Sequence, residues 1–325
     1  MAETHVKKRN CCLDFVKGIA CIFVVFMHCE FPGVLGIGVQ AISRFCVPFF
    51  FMVSGYFLRK SDGSVAWGKK IRHIAVIAIA ATLFYLVVTP IWGDFITRPS
   101  LLQIGMWACF NDPYYVSGHL WFLFALLYDY FLFSLLDKLK LTKYAGVIVC
   151  IAISLYILCA QGAALAGFYI PKIVYRSFLI EGVAFFGAGF WLRDNREKIR
   201  VPNLVNVILL VVSTVLCIGE RALLGRDFGV NVFTFVQVFA LFMLCLSHPD
   251  FGKDKLLTKF GTDFSLWIYI LHPAVWHILA MLLSRFGLSD NTAVSYLLPI
   301  AVAVLTFAVY AIPVFITSLI NKKRG

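Results

Sequence analysis

Apolar runs of about twenty residues recur along the chain, separated by short polar loops that are mostly basic. A helix needs roughly 20 mostly apolar residues to cross the hydrocarbon core of a bilayer, which is ~30 Å thick. Ten stretches meet that requirement: 12–31, 35–58, 73–93, 119–137, 144–161, 175–192, 203–219, 230–247, 264–284 and 294–320. The run 101–110 (LLQIGMWACF) is too short to cross and predicts an interfacial or re-entrant piece. The pattern predicts an all-α integral membrane protein of about ten transmembrane helices. It forms one membrane domain over 1–325, with no internal repeat, long linker or soluble module at either end. The charged start MAETHVKKRN followed by an apolar run has the form of a secretory leader. That run carries Lys17 and His28, and no small-residue cleavage site follows, so it is read as a retained first helix.

Composition agrees with a bilayer as solvent, since 61% of the 325 residues are hydrophobic and only 14% are charged. The net charge of +12 suggests nucleic acid as a partner, but the basic residues fall in short loop clusters rather than on one stripe, so no nucleic-acid partner is expected. Of the 29 Lys and Arg, twenty-one lie on one side of the predicted spans, in 7–9, 59–72, 138–143, 193–200, 253–259 and 322–324. Six lie on the other side: Arg98, Lys172, Arg176, Arg221, Arg226 and Arg285. The alternation predicts both termini in the cytoplasm and a multi-pass protein of the cell (plasma) membrane. The ten cysteines lie mostly in apolar runs without a C-x-x-C pair and read as small packing residues, with lipidation of Cys11 or Cys12 as the alternative.

A few polar residues do not belong in lipid. Lys17 and His28 are eleven residues apart in the first span, about three helical turns, which puts them on one face roughly 16 Å apart along the axis. Asp14 shares that side, Glu30 flanks it, and Arg44 falls midway along the second span. Buried cations in a membrane cost a few kcal/mol or more and mark sites or pathways. Bland alternatives exist for each. Lys17 can snorkel and pair with Asp14, His28 can make an interhelical hydrogen bond, and Arg44 can form a structural ion pair. On two adjacent helices, the three together favour a shared polar chamber. His28 suits proton transfer, and Arg44 suits an oxyanion or phosphate. Ser54 is placed too far toward the cytoplasm to pair with His28 and reads as a packing residue.

Other candidates lie further along. His119 and Trp121 open the fourth long span on the outer side, where the aromatics can also serve as a membrane belt. Arg176 and Glu181 are spaced to pair with each other. His272 precedes Pro273 in mid-span, where a proline breaks the backbone ladder and often lines a cavity. His272 and His277 lie 140° apart around a helix, and no carboxylate–histidine pattern surrounds His28, so no metal site is expected.

These residues resemble acyltransferase family 3, the multi-pass membrane acyltransferases. Lys17-x10-His28 within DFVKGIACIFVVFMHCEFPG is similar to the basic-x10-His motif of that family's first helix. ISRFCVPFFFMVSGYFL (42–58), GHLWFLFALLY (118–128), RSFLIEGVAFFGAGFWL (176–192) and SLWIYILHPAV (265–275) resemble its later signatures, in order. Lysine replaces the arginine that many members carry at the first motif position. The charge is kept and the bidentate fork is lost. The extra hydrolase-like or racemase domains of larger members are not expected, and a partner protein could supply such a function.

The resemblance implies transfer of an acyl group, commonly acetyl or succinyl, from acyl-CoA to a hydroxyl of a cell-envelope glycan, lipid or small molecule. No bound cofactor is expected; acyl-CoA is the donor substrate. Its phosphates would be drawn to Arg59, Lys60, Lys69 and Lys70 on the basic face. The expected catalytic residues are His28, Lys17 and Arg44, with Asp14, Glu30, Trp121, His119, Arg176 and His272 lining the substrate site. The alternative is a transporter of an anionic or glycan intermediate, in which the same cations bind the cargo beside helices broken near Pro48 and Pro273. An idle assembly subunit would have no use for three buried cations.

Overall fold

The computed structural model describes residues 9–59, 63–92, 100–111 and 114–322, without side chains at 92, 114, 115 and 310–322. Among loop cations used to orient the chain, Lys7, Lys8, Lys60, Arg98, Lys323 and Arg324 lie outside the described residues. Among the described residues the protein is all helix, with no strand. Nine helical stretches are long and apolar enough to cross a membrane. The tenth expected span, 230–247, is the 14-residue helix Thr234–Ser247, whose length alone falls short of a crossing. The short run 101–110 is a separate helix, Leu101–Phe110, which starts at a reciprocal cap between Ser100 and Gln103 and ends at a left-handed Asn111.

The helices that position polar side chains are α1 (Cys11–His28), α2 (Gly33–Ser43), α3 (Cys46–Tyr56), α4 (Trp67–Val88), α5 (Val183–Asn195) and α6 (Ser265–Arg285). The expected single helix over 35–58 is broken into α2 and α3, with Arg44 and Phe45 at the break. Pro48 accounts for the break: its ring nitrogen cannot donate to the carbonyl of Arg44 four residues back, and its ring crowds that carbonyl. The 175–192 span also departs from a plain helix. It begins with a wide turn over Phe178–Gly182, which rotates the following helix relative to Arg176.

Packing is tightest where small residues let backbones touch. A Cβ on Gly55 of α3 would overlap the Phe186 carbonyl of α5, and one on Gly189 would overlap the Met52 carbonyl. These reciprocal contacts lock the two helices without a hydrophobic driving force, which lipid does not supply. Phe49, Phe51, Phe186, Phe190 and Phe242 fill the core beside this seam. Val76, Ile79, Leu83 and Val87 on α4 are exposed, as side chains facing lipid must be. The polar side chains discussed below therefore sit at one end of a closely packed bundle.

Candidate active site

The last residue of α1 is His28, and the break after α2 turns Arg44 toward the same end of the bundle. Two cavities meet there. One holds about 500 Å³ and includes Pro273 and Trp276 in its wall; the other holds about 180 Å³ and includes Arg44, Glu181 and Asp227. His28, His119, Trp121, Lys172 and Arg176 line both. The shared polar chamber expected from the first two spans is thus present, with His28 and Arg44 on its wall.

Three imidazoles converge at this junction. The His28 ring centroid lies 4.9 Å from that of His272 and 6.3 Å from that of His119, and the latter two are 5.7 Å apart. Their hydrogen bonds assign them different roles. His119 places Nε2 3.3 Å from the Ile270 carbonyl and Nδ1 2.7 Å from the Ser117 hydroxyl. The carbonyl can only accept, so the proton is assigned to Nε2, and Nδ1 accepts from Ser117. Both nitrogens are occupied, and Tyr269 also donates to the His119 carbonyl. His272 places Nδ1 3.0 Å from the Ile268 carbonyl. His28 alone has both ring nitrogens free of hydrogen bonds among the described residues while lining the cavities.

The cations divide in the same way. Arg44 places Nη2 2.6 Å from Asp227, whose carboxylate also takes Lys172 at 2.7 Å. Its Nη1 reaches the Met27 sulfur at 3.2 Å. Asp227 is held by its own turn, accepting from the Gly229 amide at 2.9 Å. That loop is pinned by Tyr156, which donates to the Phe228 carbonyl and accepts from Val230. Burial opposes ionisation of Asp227, but Arg44 and Lys172 outweigh it, so its carboxyl stays well below the usual carboxylate range. Arg176 differs from both. It makes no ion pair among the described residues, and its guanidinium stacks 4.4 Å over Trp121. The expected pairing of Arg176 with Glu181 does not form. Glu181 leads out of the wide turn, buried, with Oε2 unpartnered. Asn111 braces this side, donating to the Trp121 carbonyl and accepting from the Phe178 amide at 2.7 Å.

Lys17 and Asp14 are corrections to the expected chamber. Lys17 Nζ lies 2.6 Å from Asp14, which Arg9 also contacts at 2.6 Å, and neither Lys17 nor Asp14 lines the two cavities. Eleven residues of helix put Lys17 about 16 Å from His28, too far for any side chain to close. Glu30 is exposed at the cavity edge, where Gln40 donates to it at 2.6 Å. Ser54 bonds back to the Phe50 carbonyl, a packing role. Lys172 and Asp227 were not legible as site residues; the Gly225-x3-Gly229 turn around Asp227 was the available signal, and both glycines take positive φ.

At the other end of α3 and α5 lies a basic cavity of about 820 Å³, lined by Arg59, Arg193, Arg196, Lys198 and Arg200 with two carboxylates. Arg59 therefore falls where a phosphate-rich ligand was expected. Lys69 and Lys70 are exposed on the first turn of α4 and do not line it.

No curated protein and no solved structure matches the chain. The family model described as an acyltransferase domain matches residues 11–317, from the first residue of α1 through nearly all of the last helix. The signatures it spans are those that place His28, Arg44, His119 and Arg176 on the chamber wall; His272, expected to line it, is buried behind His28 and lines neither cavity, and the chain belongs to this family of multi-pass membrane acyltransferases.

Proposed function

We propose that the protein moves an acyl group, of the acetyl or succinyl kind, from acyl-CoA to a hydroxyl of a cell-envelope glycan, lipid or small molecule. One observation carries the reading. An imidazole with free nitrogens and a guanidinium with no counter-ion among the described residues share the junction of two cavities. His28 takes the proton of the acceptor hydroxyl as its oxygen attacks the thioester carbonyl. Arg176 faces the charge that develops on the carbonyl oxygen. As the C–S bond breaks, the proton passes from His28 to the departing thiolate, giving an ester and free CoA.

The larger cavity, with Trp121 and Trp276 on its wall, suits the acceptor. The basic cavity suits the donor's phosphates. Twelve residues separate Arg193 from Glu181, about 18 Å of helix, a distance the extended arm of an acyl-CoA covers.

Purified protein in proteoliposomes with acetyl-CoA or succinyl-CoA inside and an envelope glycan extract outside tests this. Free thiol should appear with the wild type and fall at least 100-fold with His28→Asn at equal folded protein. Counterflow of an acylated glycan without thiol release would instead identify a transporter.

A further inference from the structure

We infer that His272 is a positioning residue for His28: its Nε2 is a lone-pair acceptor that receives the second N–H of His28 when His28 carries the acceptor's proton. The inference rests on the acyl-transfer reading for its consequence but not for its geometry.

His272 is 1% exposed, packed inside α6. Its Nδ1 lies 3.0 Å from the Ile268 carbonyl, which can only accept, so the proton is assigned to Nδ1. Nε2 is left bare, and it is buried without any hydrogen-bond partner. A buried polar atom left unsatisfied costs roughly 1–3 kcal/mol and calls for an explanation. The neighbouring ring supplies one. The His28 and His272 centroids are 4.9 Å apart and inclined at 49°. Each nitrogen sits about 1.2 Å from its centroid, so a collinear N–H···N bond of about 2.9 Å needs centroids about 5.3 Å apart. The rings are about 0.4 Å closer than that, within reach of a bent bond, and reorientation of His28 closes it. Hydrogen bonds of this kind are often loose before substrate is bound.

The rest of the surroundings fit. Pro273 follows His272, is buried in α6, and contributes to the larger cavity's wall. His119, on the same cavity wall, has both nitrogens engaged, and the cations Arg44, Lys172 and Arg176 cannot accept a hydrogen bond; the carboxylates Glu30, Glu181 and Asp227 also line the smaller cavity, but none of them forms an ion pair with His28 among the described residues. His272 Nε2 is thus the acceptor placed to orient His28, so that one nitrogen faces the substrate and the other points into the protein.

Two substitutions separate this role from a packing role. Glutamine extends an amide to the place of imidazole Nε2, whereas asparagine reaches only the place of Nδ1. His272→Gln should keep kcat within about tenfold of wild type, and His272→Asn should lose about 100-fold, with KM for both substrates unchanged. If His272 serves only to bond the Ile268 carbonyl, the ranking reverses, and that result overturns the inference. A second measurement needs no activity. In 15N-histidine-labelled protein in nanodiscs, the resonances lost on His272→Gln should be those of an Nδ1-protonated ring with a bare Nε2. An Nε2-protonated ring would overturn the inference even with wild-type transfer intact, and absence of thiol release from the wild type would overturn only the acyl-transfer reading.

Discussion

The two half-buried arginines of the chamber should respond differently to the same substitution, because one has a counter-ion and the other has none among the described residues. Arg44 is neutralised by Asp227 at 2.6 Å, whereas Arg176 sits 4.4 Å over the Trp121 ring with no carboxylate paired to it among the described residues. Replacing Arg176 with Gln removes a positive charge already oriented toward the cavity. Loss of one preorganised donor to a developing oxyanion costs about 100- to 1000-fold in kcat, or ~3–4 kcal/mol. The stacking on Trp121 adds ~1 kcal/mol of stability at most, because one side of the guanidinium faces the cavity. Arg176→Gln should therefore fold, bind and turn over at least 100-fold more slowly. Arg44→Gln removes a charge that Asp227 already cancels. Lys172, 2.7 Å from the same carboxylate, remains to hold Asp227. The side chains of this cluster are 11–31% exposed to the cavity, so the loss should be ~1–2 kcal/mol, well under the 3–5 of a sealed pair. The assay is thiol release at saturating substrate alongside a thermal melt of each variant in the same lipid. A kcat for Arg176→Gln within threefold of wild type, with Arg44→Gln inactive but folded, would refute the assignment of the oxyanion to Arg176.

Two other perturbations probe the remaining polar groups. Lys17→Gln should leave kcat within a few-fold, since Lys17 is spent on Asp14 at the far end of α1; inactivation with an unchanged melting temperature would mean that the basic-x10-His spacing serves chemistry directly. Asp227→Asn leaves Arg44 and Lys172 without their shared anion and should lower the melting temperature by several degrees near neutral pH, with the difference shrinking in acid. The sign follows from the depressed pKa: the carboxylate stabilises the fold fully above the ~4 of a free Asp and loses that contribution as pH drops toward its folded value. Melts from pH 7 to pH 3 that stay parallel for the two proteins would contradict the clamp.

Much of this was legible because bilayers impose a strong rule on sequence. Length and apolarity located nearly every helix, and the short run at 101–110 was correctly denied a crossing. The misjudged elements are those in which a backbone detail outweighed apolar length. The second span is interrupted at Arg44 because Pro48 withholds a donor, and 230–247 gives only 14 helical residues, because the loop that carries Asp227 reaches as far as Phe233. At the site, His28, Arg44, His119, Trp121 and Arg176, singled out by residue type and helical spacing, line the two adjoining cavities. Sharing a helical face was a poorer guide. Lys17 and His28 do lie on one side of α1, but axial distance separates them, and a nearer carboxylate claims the lysine. Pairing of Arg176 with Glu181 failed for a related reason: the five-residue spacing assumed a regular helix, and a wide turn stands in its place.

Those irregularities explain why the chemistry is found where it is. A regular helix in lipid satisfies its own backbone and has nothing to spare for a polar chamber. The break at Arg44, the wide turn at Phe178–Gly182 and the proline in α6 all border the His28 end of the bundle, while the Gly55–Gly189 seam below them is tightly packed. Rigid packing beneath and loosened backbone above would hold the chamber's cationic and titratable side chains within reach of one another without paying for them in open hydrocarbon. Among the described residues, the His28 imidazole and the Arg176 guanidinium line this chamber without a hydrogen bond or ion pair. Arg44, Lys172 and Asp227 are committed to one another and Glu181 is buried beside them without a partner, so a substrate entering the chamber meets a base and a cation that have no prior partner to give up.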